Sequence, residues 1–593
     1  MNEAVSRTRS AIEVHEVASE WDVVVCGAGV AGLTFALQLR QRLPGVSIAV
    51  VDRLERPLPR AAFKVGEATT EAGAWYLTEV IGIGDYLEQR HVRKLGLRMY
   101  FQGDTPGHSL DARPEIGVSR FLTPYAYSVD RGRLENDLRG LLEERAIHLI
   151  EGGNVADFQL AADDGAWHEI RIESKTGMRR LHARWLVDGS GRRALLRRRM
   201  GLTQHNPGYG SVWFRVATEI DVEDWVAPES ESWHSRAGNG ARRYHATCHL
   251  VGPGYWVWLI ALPGGYTSIG IVSNGKDHPY TSFNTPDKCM GWIERNEPLL
   301  AAALQGHELC DFAKMPNYSY VTRQAFSASR WACIGEAAAF PDPLYGTGFE
   351  VIALSNSMTV NFIEKDFRGT PCAREIDAAN RFFTQYCLGL TDAIQSSYDY
   401  FGHPVIATLK VLWDTLAGWL FNAPLLTHAL YDDPEMRLRL RAETGRFYFL
   451  SRRLRRLMNE WSRAQTQMVR LEYLDFTRLP FFRAARQAGF RKEMDAATLL
   501  AHHRDSLALM ERFTLVIFLL ALADCRPGLL ARVPDDLRLN AWAVGLDPGR
   551  WEVDGLLARD NPRHDLDDML RPLLSMIRAP VLDRFLESEV VGG

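Results

Sequence analysis

An α/β fold with a parallel sheet, continued by a helical region, is what this 593-residue sequence predicts, from three features. In "WDVVVCGAGVAGLTFALQLRQRLPGVSIAVVDR" (21–53) a β-rich run leads through a glycine turn into a helical pattern and then into a second β-rich run, the order of a strand–helix–strand unit. Two later stretches, "ARWLVDGSGRRALLRR" (183–198) and "SRWACIGEAAAFPDPLYGTGFEVIAL" (329–354), carry short strands into further glycine turns. From about residue 370, apolar residues recur at three- and four-residue spacing, which reads as helix. The length exceeds what one core serves, so interleaved units are expected: a polar leader at 1–20, a core at 21–365 and a helical region at 366–593.

Each element then has a local reason. Gly27, Gly29 and Gly32 form GxGxxG between the first strand and its helix. The first glycine permits the tight turn, the second lets backbone approach a pyrophosphate, and the third lets helix and strand close together. The helix start offers free N–H groups and a partial positive charge. Asp52 closes the second strand, where a carboxylate can accept hydrogen bonds from a ribose diol. A dinucleotide site is therefore predicted.

Bulk properties exclude several other classes. With 46% hydrophobic and 24% charged residues and a formal charge of -4, nothing points to a nucleic-acid partner. Eight cysteines without a CxxC pair argue against a zinc site or a disulfide framework and fit a reducing cytoplasm. The leader has no apolar core beside a cleavage site. "TLVIFLLALA" (514–523), flanked by Arg512 and Asp524, is too short to span a bilayer and predicts a buried helix.

The segments at 183–198 and 329–354 resemble those of FAD-binding proteins of the para-hydroxybenzoate hydroxylase type, which implies an FAD-binding Rossmann-type fold with an interleaved β-sheet substrate region. By that resemblance Gly335 and Glu336 reach the flavin, although Asp is usual at 336. "YSVDRGRLENDL" (127–138) looks like the helix that brings an arginine, Arg131 or Arg133, towards it. "FKVGEATTEAGAWYLTEVIGIGDYLEQRHVRKLGLRMYF" (63–101) is similar to the flavin-dependent halogenases, with Gly66, Glu67, Ala68 and Thr69 as the motif that covers the flavin. Lys94 falls where that family has its catalytic lysine, at the opening of a strand. "YWVWLIALP" (255–263) matches the family's WxWxIP at Trp256, Trp258 and Ile260, with Ala261 where proline is expected. Taken alone the tryptophan pair is ordinary strand core; in this company it looks like a partition between flavin and substrate.

The resemblance implies a reaction as well. FADH2 from a separate flavin reductase and O2 would convert chloride or bromide, held by backbone N–H groups at Thr347 and Gly348, into hypohalous acid that travels to Lys94. Tryptophan halogenases place glutamate directly after the "DPL" of that turn; Tyr345 stands here, which implies a phenol or pyrrole activated by its own OH or NH. The acceptor is a small aromatic molecule, free or tethered to a carrier protein. Tyr345, Tyr398, Tyr400, His403, Trp413 and Asp414 are candidates for the pocket wall, with His403 or an aspartate as a base. The basic runs at 192–199 and 451–463 are either solvated faces or docking patches for an acidic carrier. Two further readings stay open: an NAD(P)H-using aromatic hydroxylase on the same fold, and a non-catalytic flavoprotein scaffold.

Overall fold

The computed structural model describes residues 19–102, 109–162, 166–205, 208–238, 240–464 and 468–586. Of the expected leader only Ser19 and Glu20 are described, and they already belong to the first strand, where Ser19 pairs with Leu181. The nucleotide sheet runs in the order Phe326–Ser327, Trp331–Cys333, Gly177–Asp188, Ser19–Cys26, Ile48–Asp52, His148–Glu151. Along this path all neighbours are parallel except the first pair, and an antiparallel hairpin, Asn154–Gln159 and His168–Ser174, adds to Gly177–Asp188 to make eight strands. A sheet covered on both faces needs apolar side chains on both. Val23, Val24 and Val25 are accordingly all fully buried, as are Ala49 and Val50. The helices Val30–Arg42 and Gly348–Phe367 pack against each other beside it.

A second sheet of eight strands lies apart from this layer, in the order Ala313–Pro316, Tyr209–Val216, Tyr266–Asn274, Tyr255–Leu262, Thr247–Gly252, Leu97–Phe101, Glu115–Gly117, Tyr473–Asp475. Its last strand comes from the region expected to be helical. Tyr473–Asp475 pairs in parallel with Glu115–Gly117, so the C-terminal third is built into the sheet and does more than cover it. Three residues are too few for a period to show, which is why the pattern reads as helix on either side.

The longest helices after Phe367 are Ala373–Gln395, Pro404–Ala417, Arg441–Ala464 and Ala496–Cys525. Pro404–Thr427 and Ala496–Cys525 are long and apolar enough to cross a membrane, but 67% and 78% of their apolar windows are buried inside the protein. The stretch 514–523 is thus part of a buried helix as expected, although that helix, at 30 residues, runs well beyond the ten-residue apolar run.

Candidate active site

At the nucleotide end the glycines are required by contact. A Cβ on Gly32 would lie 2.0 Å from the Gly27 carbonyl oxygen, and one on Gly27, at φ +114, would lie 2.4 Å from that of Gly189. Gly29 caps the following helix with no side chain on the free N–H groups. The Asp52 carboxylate accepts from Ala28 N at 2.6 Å and Leu54 N at 2.7 Å, which fixes it at the strand end beside the turn. An open glycine cradle, an uncapped helix start and an immobilised acid fit the adenosine diphosphate half of FAD. Gly32→Ala is expected to lower FAD affinity by roughly tenfold or more, because the turn cannot close; flavin absorbance retained after gel filtration measures it.

The next segment is held by charge. Arg131 donates to the carbonyls of Val65 at 2.8 Å and Gly66 at 3.3 Å and pairs with Glu135 at 2.7 Å, so its guanidinium shapes the Gly66 turn. Arg133 points away, to the Arg90 carbonyl. Lys64 shares Glu135 at 2.7 Å. Glu67 is turned inward: Arg215 Nε donates to it at 2.8 Å and Ser268 Oγ at 2.8 Å, and Trp258 Nε1 donates to Ser268 Oγ at 3.2 Å. The acid thus straps the Gly66–Thr69 segment to the tryptophan strand of the second sheet. Burial pushes the Glu67 carboxyl above its usual range, against the pull of Arg215.

Lys94 closes the short strand Val92–Lys94, paired with Ala126, where the sequence suggests that it opens one; Gly96, at φ +61, separates it from Leu97–Phe101. Lys94 is 9% exposed, and its ammonium donates to the Thr69 carbonyl at 3.3 Å. Burial lowers its pKa to about 8, with Glu71 acting in the opposite sense. Glu71 is gripped by Arg486 at 2.9 Å; burial opposes its ionisation, but Arg486 holds it below the usual carboxylate range. Lys94, Thr69, Glu71, Tyr345, Thr347 and Glu350 all line one cavity of about 1310 Å³ that continues between the C-terminal helices.

The turn before Gly348–Phe367 meets the Gly66–Thr69 segment directly: a Cβ on Gly346, at φ +77, would stand 2.9 Å from the Ala68 carbonyl oxygen. Thr347 Oγ1 is buried without a hydrogen-bond partner among the described residues. An orphaned hydroxyl beside helix N–H groups suits a small anion, and nothing lies within 4 Å of where a Gly348 Cβ would be. Glu350, in the same first turn, is kept towards its neutral form by burial. Gly335, at φ +53, donates its N–H to Ser355 Oγ, and Glu336 lies opposite Gly191.

Trp256 and Trp258 share a face, with ring centroids 5.7 Å apart, and Gly270 makes room for Trp258. Neither indole is part of the cavity wall. Trp256 Nε1 donates to Tyr398 Oη at 2.7 Å, and Tyr398 donates to Asp342 at 2.9 Å, an oxygen that Tyr318 also contacts. Burial raises the Asp342 pKa to about 6. Tyr398 therefore belongs to a buried network behind the wall and not to the pocket where the sequence suggests it. Tyr400 is likewise off the wall, bonded to Asn459 at 3.1 Å, and His403 caps the Pro404 helix outside the cavity. Tyr345, Trp413 and Asp414 do line it.

Residues 20–258 match the family model described as "FAD binding domain". That span of the chain is thus identified as an FAD-binding domain. Its relatives include the flavin-dependent halogenase chlA of Dictyostelium discoideum, 26% identical over 57% of this chain and 59% of that one. A 1H-pyrrole-2-carbonyl-[peptidyl-carrier protein] chlorinase of Pseudomonas fluorescens is 25% identical over 64% of this chain and 82% of that one. The chain thus spans less than two thirds of the Dictyostelium protein. The crystal structure of halogenase PltM superposes with a TM-score of 0.59 at 17% identity, covering 83% of this chain and 96% of that one, a likeness of fold. The resemblance to the flavin-dependent halogenases, and the hydroxylase-type FAD fold with its helical C-terminal region, are borne out.

Several neighbours of Lys94 in this flavoprotein carry no sequence signal. His249, on a strand parallel to Leu97–Phe101, has a buried Nδ1 with no partner among the described residues. Burial, then Lys94, lowers its pKa to about 3. Arg486 reaches the site from 415 residues beyond Glu71. The basic run 192–199 is partly structural: Arg197 is buried against the Tyr320 ring at 3.9 Å. In the run 451–463, Arg453, Arg455 and Arg456 are paired with Asp554, Asp392 and Glu460.

Proposed function

We propose that this flavoprotein halogenates an electron-rich phenol or pyrrole, with chloride or bromide as the halogen source. Lys94 is the observation that carries the reading: a buried primary amine with one weak hydrogen bond, on the wall of a cavity it shares with the Thr347 turn. FAD, bound and reduced by a separate enzyme, supplies the two electrons with which dioxygen oxidises the halide. Every other role falls to the chain. Thr347 Oγ1 and the helix N–H groups hold the anion. Lys94 receives hypohalous acid and directs its halogen onto the ring, either as an ammonium that polarises it or as an amine that forms a haloamine. The net change is X⁻, O2, ArH, H⁺ and FADH2 to ArX, FAD and two waters.

The cavity exceeds the roughly 300–1,000 Å³ of ordinary ligand sites, which supports an acceptor larger than one ring or one carried on a pantetheine arm. Incubating the protein with reduced FAD, oxygen and bromide, and with phenols and pyrroles both free and carrier-linked, is expected to give a brominated product by mass spectrometry. A hydroxylated product, made with NADPH as the sole reductant, would replace this reading with the hydroxylase.

A further inference from the structure

We propose that Asp414 is the base that takes the proton from the hydroxyl of a phenolic acceptor, an inference that rests on the halogenation reading above. Asp414, Lys410 and Tyr345 form a second ionisable cluster on the cavity wall. Tyr345 Oη donates to Asp414 Oδ2 at 3.0 Å, and Lys410 Nζ pairs with the same oxygen while donating to the Ala393 carbonyl at 2.8 Å. Both donors therefore converge on Oδ2. Oδ1 makes no hydrogen bond with the described residues, yet it is not among their sealed, partnerless oxygens. Lys410 is 2% exposed and Asp414 11%, on a cavity-lining segment. The open oxygen is thus oriented by two fixed donors on its twin; burial raises the Asp414 carboxyl above its usual range, as suits a group that must take up a proton, with the adjacent Lys410 ammonium acting in the opposite sense.

Tyr345 connects this cluster to the turn that carries Thr347, so the base stands on the same wall as the halogenating end. The chemistry needs it there. As a ring carbon takes halogen from hypohalous acid, the C–X bond forms, the X–O bond breaks and hydroxide leaves. The ring's positive charge is discharged when the phenolic O–H proton passes to Asp414 Oδ1, which gives a halodienone. Hydroxide then removes the ring C–H proton to form water, and Asp414 returns its proton to the phenolic oxygen. Atoms and charges balance, and the carboxylate is regenerated. The pull comes from the developing dienone, so a carboxylate suffices although a free phenol is far less acidic.

The test compares FAD-loaded wild type with Asp414→Asn, using phloroglucinol and its trimethyl ether, which has no proton to give. Calorimetry measures binding, and product is measured with free methionine present to trap escaping hypohalous acid. Asp414→Asn is expected to slow halogenation of phloroglucinol by about 100-fold or more and to weaken its binding by about tenfold, with the ether unchanged in both. Equal losses for phenol and ether, or no loss for phenol, would overturn the assignment. Should wild type halogenate neither compound, the halogenation reading fails, and the calorimetric difference still decides whether Asp414 recognises the hydroxyl. Should the variant fail to fold, Tyr345→Phe decides: a smaller loss confined to phloroglucinol supports the proposal, and none or an equal loss refutes it.

Discussion

Lys94→Met is expected to lower halogenated product by at least about 100-fold, while oxygen consumption by the reduced, flavin-loaded protein continues. The ammonium's hydrogen bond goes to the Thr69 carbonyl, so its removal leaves the Gly66–Thr69 segment and its Arg131 and Arg215 anchors in place. Loss of oxygen consumption as well would assign the lysine to flavin chemistry. The variant should also be at least as stable as wild type. With a folded pKa of about 8 against an ordinary 10.5, the folded chain binds fewer protons than the unfolded one between those values. Stability therefore rises with pH through that window, and below pH 8 the buried ammonium carries a penalty of about 3 kcal/mol. Methionine removes the penalty, so thermal melts at pH 7 separate a chemical loss from an unfolded one. Wild-type product formation should bend near pH 8, upward if the amine carries the halogen and downward if the ammonium polarises it.

Local physics made the nucleotide end legible. The glycine turn, the two strands and Asp52 lie within 33 consecutive residues, and each answers to a steric or electrostatic requirement that sequence alone exposes. The second sheet was less so, because its eight strands are gathered from residues 97 to 475 and pair by tertiary contact. Lys94, Thr347 and Tyr345 were legible through family resemblance, and the structure brings them to one cavity. Asp414 was legible only as one of several candidates for the pocket wall, with nothing to single it out from its neighbours. What distinguishes it is its contact with a tyrosine 69 positions away. Glu71, Arg486 and His249 were silent for the same reason. His403 misled because a histidine beside aromatic residues looks like a base in sequence, while the turn that caps the Pro404 helix puts it elsewhere.

Arg215→Met is expected to destabilise the protein by about 3–5 kcal/mol, because it leaves Glu67 as a buried acid without its cation. Both side chains are essentially inaccessible, at 0% and 1%. Arg215 also pairs with Asp311 at 2.6 Å and contacts the Lys64 carbonyl, so one guanidinium joins the second sheet to both sides of the Gly66 turn. Glu67 has Ser268 as its remaining donor, and Ser268 in turn holds the Trp258 indole. Protonating Glu67 would relieve part of the loss, so the variant's deficit should shrink at low pH, where the acid is neutral in either state. Glu67→Gln in the same chain should recover some of the stability, since an amide needs no counter-charge; melts of the two single variants and the double variant measure the coupling. A coupling near zero would mean that Asp311 and the Lys64 carbonyl, and not Glu67, are what Arg215 holds. A large one, together with weaker FAD retention in Arg215→Met, would show that a single buried ion pair positions the tryptophan strand against the Gly66–Thr69 segment. Glu67 and Ser268 stand 201 residues apart, so nothing local in the chain could hold those two motifs together.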